Sequence, residues 1–380
     1  MPYITVRQPP PTQQITFDDL FLSPNAIPNL PMAVKRDMSG TITRFVKCPK
    51  KELVERINVQ SLIDALEIFN TKYGQLHAAK RQDLYHTFYI PKHSGGLRKI
   101  DEPNEELMSA LRELKSIFEN KMGALYHTSA FAYVPGRSTV DAIKRHQANE
   151  SRWFLKTDFS NFFGSTTEEF LFESTSLIFP FSEMVRYTNG RVQLRLALSL
   201  CMLNGGLPQG TPISPMLTNL MMIPIDHRIF NELSKEGFVY TRYADDIQLS
   251  HKFEFDYKGK VDYINTVVKS FRGPFEIKPE KTRYGSSSGR NWNLGLMLNK
   301  DNDITVGYQR KKQFKAMTNN FIVDYLNHTP WPKEDVQHLN GLKSYYLMVE
   351  PEYFKYMLSH LEQKYSIDFE TMMKAALNAE

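Results

Sequence analysis

Three aspartates carry the chemistry this sequence can be read for. Asp245 and Asp246 stand side by side in RYADDIQLS, residues 242–250, with apolar residues on both sides. Asp158 closes the short apolar run WFLKT, residues 153–157. Adjacent carboxylates repel, and a position near a core raises the cost of keeping them charged. The sequence offers no lysine or histidine placed to neutralise them. Hard divalent cations prefer oxygen ligands, and Mg²⁺ binds through one or two carboxylates plus substrate phosphates. Two such ions about 4 Å apart can activate a 3′-hydroxyl and stabilise a leaving pyrophosphate. Taken alone, the YADD tetrapeptide leaves two readings open: a metal site, or two acids in a solvated turn.

The elements around these acids set where they meet. Residues 153–157 read as a buried strand, and FVYTRYADDIQLSHKF as two strands joined at the aspartates. Helices are expected over 166–178 and 192–203, a long helix after GGLPQG, and another in KVDYINTVVKSFRG. The order from 151 to 280 is strand, helices, strand pair, helix, strand, which an antiparallel split βαβ sheet satisfies. In that sheet the Asp158 strand and the aspartate hairpin are adjacent, so all three acids gather at one end. Upstream, 51–79 has helical spacing, FYIPKHSGGLRKIDEPN reads as a hairpin, and EELMSALRELKSIFENKM as an amphipathic helix. From about 310 onward the chain is helical, and Pro-rich residues near the start predict irregular structure.

Composition narrows the class. The chain has 380 residues, 41% hydrophobic and 23% charged, enough for two or three domains. Lys and Arg outnumber Asp and Glu by 47 to 42, a mild excess that permits a nucleic-acid partner without demanding one. Two cysteines, Cys48 and Cys201, supply neither a disulfide framework nor a four-ligand zinc site. No signal-peptide layout and no membrane-length apolar run is present, so a cytoplasmic protein is expected.

A series of motifs in order resembles the reverse transcriptase family. FLKTDFSNFFGS, residues 154–165, looks like its first palm motif. GLPQGTPISPMLTNL, residues 206–220, resembles its PQG-x-x-x-SP motif, and YADD its metal-binding hairpin. KPEKT, residues 278–282, is similar to the lysine-bearing motif that follows, and NLGLMLN, residues 293–299, to the hairpin that grips the primer. AYVPGRSTVDAI, residues 132–143, is common in bacterial members. The resemblance covers about residues 80–350. It implies an α+β right-hand polymerase with fingers, a ferredoxin-like palm (split βαβ antiparallel sheet) and a helical thumb. The expected divisions are an N-terminal extension (1–79), fingers (80–150, with further elements from 166–205), palm (151–298) and thumb (299–380). The resemblance is to prokaryotic members of the retron and group II intron kind; the chain is too short for the extra regions of the intron enzymes. It departs from the retron pattern where DAIKRH puts Asp141 in place of Asn and His146 one residue late, and where NWNLG replaces a Val-Thr-Gly-like triplet. These departures point to a stand-alone, defence-associated enzyme.

The resemblance also implies roles. Asp158 and Asp245 are metal ligands, Asp246 supports them, and the carbonyl of Phe159 adds a ligand. Phe163 is the steric gate that rejects a ribose 2′-OH, while Phe162 is core. Gln209 bonds the incoming nucleotide, and Gly210 permits close backbone approach to nucleotide or template. Lys92, Arg98 and then Lys99 meet the triphosphate. Lys281, or else Lys278, protonates the leaving pyrophosphate. Arg137 holds template backbone, and Tyr243 and Ala244 lie beside the primer end. Leu294 and Gly295 contact the primer strand, and Arg310, Lys311, Lys312 and Lys315 follow duplex phosphates. The function expected is an RNA-directed DNA polymerase using dNTPs and two Mg²⁺ ions, with Mn²⁺ as a substitute. Its partners are an RNA template, in the leading reading a structured noncoding RNA, and the DNA product or RNA–DNA duplex. A homo-oligomer or an accessory defence protein stays open, and no membrane is involved. The alternatives are a template-independent or protein-primed DNA polymerase, a silent RNA-binding subunit with the same fold, and, more weakly, a viral-type RNA polymerase.

Overall fold

The computed structural model describes residues 59–91, 95–122, 126–277, 279–287 and 294–378. The expectations placed on residues 1–58, on Lys92 and on Lys278 lie outside these. The chain divides into two compact units. The first holds the residues up to Arg137 with Leu155–Leu249 and Phe255–Tyr284. The second holds Ser138–Phe154, Ser250–Glu254 and Gly285–Glu380. The second unit is therefore more than the C-terminal helices assigned to a thumb. Val140, Ile143 and Phe154 join the same buried cluster as Phe314, Phe321, Phe354 and Phe369, and that packing draws 138–154 into it.

The first unit opens with α1 (Val59–Lys72), whose Val59, Leu62, Ile63, Leu66 and Phe69 form one buried stripe at helical spacing. A short α2 (Gly74–Ala78) leads to the hairpin of β1 (Tyr85–Pro91) and β2 (Leu97–Pro103), paired antiparallel from Tyr85 with Pro103 to Pro91 with Leu97. β1 is exposed beyond Tyr85 and β2 from Leu97 to Lys99, Phe88, Tyr89, Ile90 and Leu97 included, while Asp101 and Pro103 are buried. α3 (Glu105–Met122) follows. A further helix, α4 (Thr139–Ala148), begins the second unit. Ser138 and Asp141 cap it reciprocally, each side chain meeting the other's backbone N–H. The Asp141 that departs from the retron pattern thus has a local structural use.

β3 (Trp153–Asp158) leads into the one-turn α5 (Phe162–Ser165), then α6 (Glu168–Ser176), the short α7 (Phe181–Met184) and α8 (Thr188–Leu200). α9 (Ser214–Lys235) is buried almost all round from Ser214 to Asp226, as expected of a helix running through the middle of a core. In the turn before it, Thr211 Oγ1 accepts from Ser214 N at 3.2 Å. β4 (Val239–Tyr243), β5 (Asp246–His251), α10 (Tyr257–Ser270) and β6 (Arg283–Ser286) complete the unit's elements. The four strands lie in the order β4-β5-β3-β6, the order of a split βαβ sheet. Arg152 N bonds His251 O at 2.9 Å and Phe159 N bonds Asp245 O at 3.1 Å, so β3 and β5 run antiparallel. Leu155, Ile247 and Leu249 face the helices and join the core. The period of two turns Lys156, Asp158 and Asp246 to the opposite face.

The second unit adds β7 (Met297–Leu298) and β8 (Ile304–Thr305), then α11 (Tyr308–Leu326), α12 (Lys333–Val349), α13 (Pro351–Tyr365) and α14 (Phe369–Asn378). His146 is fully buried here, its Nδ1 2.6 Å from Ser250 Oγ, which reaches Ser151 Oγ at 2.8 Å. Burial, helped by nearby Arg145, pushes its pKa down to about 3, so the ring is neutral at physiological pH. Cys201 is buried, and burial pushes its thiol pKa up to about 12, so it behaves as core. No described helix is long and apolar enough to cross a membrane.

One glycine ties the loop before α9 to the turn after β3. A Cβ on Gly206 falls 2.3 Å from the carbonyl oxygen of Gly164, while Leu207 N bonds Phe163 O at 3.0 Å. Gly206→Ala is expected to destabilise the protein by about 1–3 kcal/mol, measured by urea unfolding. Gly74→Ala, with nothing within 4 Å of the added carbon, serves as the control that leaves the midpoint unchanged or raised.

Candidate active site

The aspartate hairpin is built on a buried ion pair. Arg242 and Asp226 have no solvent exposure and meet at 2.8 Å. Arg242 Nε reaches both carboxylate oxygens of Asp226 at 3.0 Å, and Tyr240 Oη donates to the same group at 2.7 Å. The guanidinium has two further partners. Nη2 donates to Asn219 Oδ1 at 3.1 Å and Nη1 to the carbonyl of Ala244 at 2.9 Å. Ala244 is the first residue of the tight turn and has φ 57°, a position where a two-residue hairpin favours glycine. Arg242 therefore fixes the peptide that aims Asp245. Asn219 passes the constraint on, its Nδ2 donating to Ala132 O at 2.9 Å.

Asp245 and Asp246 are both harder to ionise than ordinary carboxyls. Burial raises the Asp245 pKa, and the charges of Asp246 and Asp158 add to it. Burial likewise raises Asp246, with Lys156 opposing and Asp158 adding. The expectation that no lysine neutralises the acids is corrected. Lys281 Nζ lies 2.5 Å from Asp158 Oδ2, and Lys156 Nζ 3.6 Å from Asp246 Oδ1. Lys156 stands two residues before Asp158, so the strand's alternation sets both on one face; that spacing was the signal in the sequence. The hydrogen bond to Asp158 raises the Lys281 pKa, which keeps it a cation at neutral pH. The three acids stand near one another, close enough for the Asp158 charge to act on both Asp245 and Asp246. Among the described residues no three His, Cys, Asp or Glu side chains group closely enough to hold a metal ion by themselves. What stands here is a pair of strained carboxylates with a third acid near them, all hard oxygen donors. That set fits Mg²⁺, which takes one or two carboxylates and completes its shell with water and phosphate.

A cavity of about 500 Å³ opens beside these acids, within the size range of small-molecule sites. Asp245, Lys281, Arg98, Lys99, Phe163 and Gln209 are on its wall. Asn161, at φ 49°, turns the chain after β3. The turn buries Phe162 beside Phe159 and Phe275 and leaves Phe163 half-buried on the cavity. Lys99 pairs with Asp101 at 2.8 Å, whereas Arg98 is exposed and also lines a second cavity of about 260 Å³. Asp101 N bonds the carbonyl of Gln209 at 2.7 Å, leaving the Gln209 side chain on both cavities. Gly210 has φ 120°, and an added Cβ falls 2.8 Å from Asp101 O. The close approach it permits is to β2, and Gly210 also lines the second cavity.

Other residues expected at nucleic acid make contacts inside the protein. Arg137, expected at template backbone, clasps its own segment: its Nη1 donates to the carbonyls of His127 at 2.6 Å and Ala130 at 2.5 Å. Tyr243 is half-buried and Ala244 buried. In the second unit Arg310 bonds the carbonyl of Gly295, which follows Leu294 in a left-handed turn. Lys311 pairs with Glu350 at 2.5 Å. Both are thus tied within their own unit, while Lys312 and Lys315 are exposed.

Residues 90–321, more than half of the chain, match the family described as reverse transcriptase (RNA-dependent DNA polymerase). The chain belongs to this family. Similar curated proteins are retron enzymes. The retron Ec83 reverse transcriptase of Escherichia coli is 28% identical over 299 residues, covering 74% of this chain and 86% of that one. The retron Mx65 reverse transcriptase of Myxococcus xanthus is 28% identical over 286 residues, covering 70% of this chain and 62% of that one. These relatives bear out the prokaryotic, retron-like resemblance of the motif series. Among solved structures, telomerase from Candida tropicalis with a fragment of telomeric RNA aligns with a TM-score of 0.44 at 14% identity, over 75% of this chain and 55% of that one. Apo telomerase from the same organism gives 0.42 at 13% identity, over 58% and 47%. The chain spans about half the length of these telomerase chains.

Two outcomes follow for this reverse transcriptase. Arg242→Ala strands the Asp226 charge in the core and is expected to destabilise the fold by about 3–5 kcal/mol, read by urea unfolding. Asp245 has a raised folded pKa, so its ionised form opposes folding; that opposition is complete above the raised pKa and vanishes below the ordinary carboxylate range. Metal-free Asp245→Asn should therefore melt higher than wild type at pH 7, with the gap closing toward pH 4. Mg²⁺ should raise the wild-type melting temperature and leave the variant's unchanged.

Proposed function

We propose that this chain makes DNA on an RNA template by two-metal-ion transfer of nucleotides from dNTPs. The observation that carries the reading is the strained Asp245 of the YADD turn, with Asp246 beside it, on the wall of a cavity that also presents Arg98, Lys281 and Phe163. Asp158, Asp245 and Asp246, with the Phe159 carbonyl, are the groups that would hold Mg²⁺, and bound there it would acidify the primer 3′-hydroxyl and neutralise charge on the phosphates. Arg98 offers a rigid fork to the phosphate oxygens. Lys281, kept protonated by its site, carries a proton on Nζ that it can give to the leaving pyrophosphate oxygen. The Phe163 ring projects where a ribose 2′-hydroxyl would crowd it, which favours deoxynucleotides. Gln209 bonds the incoming nucleotide through its side-chain amide. Tyr243 borders the primer end, with Ala244 holding the turn. Leu294 and Gly295 meet the primer strand, and exposed Lys312 and Lys315 meet duplex phosphates.

The template we infer is a structured noncoding RNA and the role antiphage defence. The retron relatives and the prokaryotic motif series support this reading. Sequencing the RNA and DNA that co-purify with the protein tests it. One recurrent RNA with complementary DNA is expected, and random cellular RNA without DNA would sink it.

Primer extension on an RNA template tests the chemistry. Wild type should extend with dNTPs, and Asp245→Asn should lose more than about 100-fold. Phe163→Ala should gain in NTP use relative to dNTP use. Equal activity in wild type and Asp245→Asn overturns the metal assignment. Label appearing on the protein without added primer favours a protein-primed reaction instead.

A further inference from the structure

Tyr133 sits in the segment between α3 and α4 with φ 57°. A bulky residue in the left-handed region is an outlier, and such strain persists only where the surroundings over-determine it. Here they do. Asn219 holds the carbonyl of Ala132 just before it. Arg242 pairs by its backbone with the same segment, donating to Ser129 O at 2.7 Å and accepting from Phe131 N at 2.9 Å. Arg137 clasps the segment through the carbonyls of His127 and Ala130. From Ala130 to Val134 every residue is buried except Tyr133, which is 55% exposed. Four buried neighbours and a strained backbone thus turn one aromatic ring outward.

The ring lines the second cavity, with Arg98, Phe163, Gln209 and Asp245. These four residues also line the larger cavity, so the two spaces share a wall. They differ in chemistry. Lys99 and Lys281 border only the larger space, while Tyr133, Ile100 and Pro215 border only the smaller. Phosphates belong with the cations, and the flat, apolar face of a nucleobase belongs with the ring. We propose that Tyr133 is a substrate-binding residue, the stacking surface for the nucleobase at the polymerising position. This rests on the reading of the larger cavity as the triphosphate site. Stacking on an aromatic ring serves all four bases, since each has a π-face. The phenol oxygen has no part in stacking, so the ring alone carries the effect.

Glycine separates this role from a structural one, because it accepts a positive φ without strain. The experiment is steady-state primer extension on an RNA template, with thermal melting, for wild type, Tyr133→Phe, Tyr133→Gly and Asp245→Asn. Tyr133→Phe should hold its dNTP KM within about 2-fold of wild type, as stacking without the hydroxyl predicts. Tyr133→Gly should melt at or above the wild-type temperature while its dNTP KM rises about 5- to 150-fold and kcat changes less. An unmoved KM in Tyr133→Gly, with wild type extending and Asp245→Asn silent, overturns the stacking role and leaves the polymerase reading standing. A KM lost equally in Tyr133→Phe also overturns it, assigning the effect to the hydroxyl. Wild type that extends no primer overturns both readings.

Discussion

The contact on which the rest of the first unit depends is the pair of Arg242 and Asp226, a guanidinium and a carboxylate shut away from water. Burying two charges costs several kcal/mol for each ion, and the cost is offset only when the geometry is good and the remaining protons find acceptors. Here the carboxylate takes bonds from Arg242 and from Tyr240. The guanidinium spends its other donors on Asn219 and on the Ala244 carbonyl. One side chain on β4 therefore refers the aspartate turn and, through Asn219, the Tyr133 segment to the same helix, α9. Arginine is suited to this, since its planar fork sets several directions at once.

The acids that the turn presents stand in an opposite condition. Burial and mutual repulsion raise Asp245 and Asp246 above the ordinary carboxylate range. The neighbouring lysines relieve the repulsion in part, Lys156 at Asp246 and Lys281 at Asp158. Charge left unsatisfied in this way weighs against folding. The buried ion pair and the hydrogen bonds around it hold the geometry against this repulsion. The same division applies at Tyr133 and Ala244, where positive backbone angles are held by neighbours that are fully paired.

Much of the fold was legible because it rests on local rules. Alternation set the strands around Asp158 and Asp245, the 3.6-residue period set α1 and α9, and the strand and helix order implied a split βαβ sheet. The one-turn helices, such as Phe162–Ser165, were not legible, since four residues carry no period. Helix α4 was missed as well; its capping box, Ser138 with Asp141, was the available signal. For the site, motif order located the acids, Phe163, Gln209 and Lys281. The fates of individual cations were not legible. Arg137 and Arg98 look alike in a sequence, yet one clasps backbone carbonyls and the other faces a cavity.

The sequence by itself determined which chemistry is available: hard oxygen donors at the tip of a hairpin, a lysine after it, paired aromatics before it. Residue type and short spacing suffice for that, because they act within a strand or a turn. Only the tertiary structure decided what each charge is for. Lys156 became a partner of Asp246 across neighbouring strands, Arg242 became the anchor of the turn, and Tyr133 was left as the one exposed ring in a buried segment. Those outcomes depend on which residues meet across tens of positions of chain, and on which groups are denied water when they do.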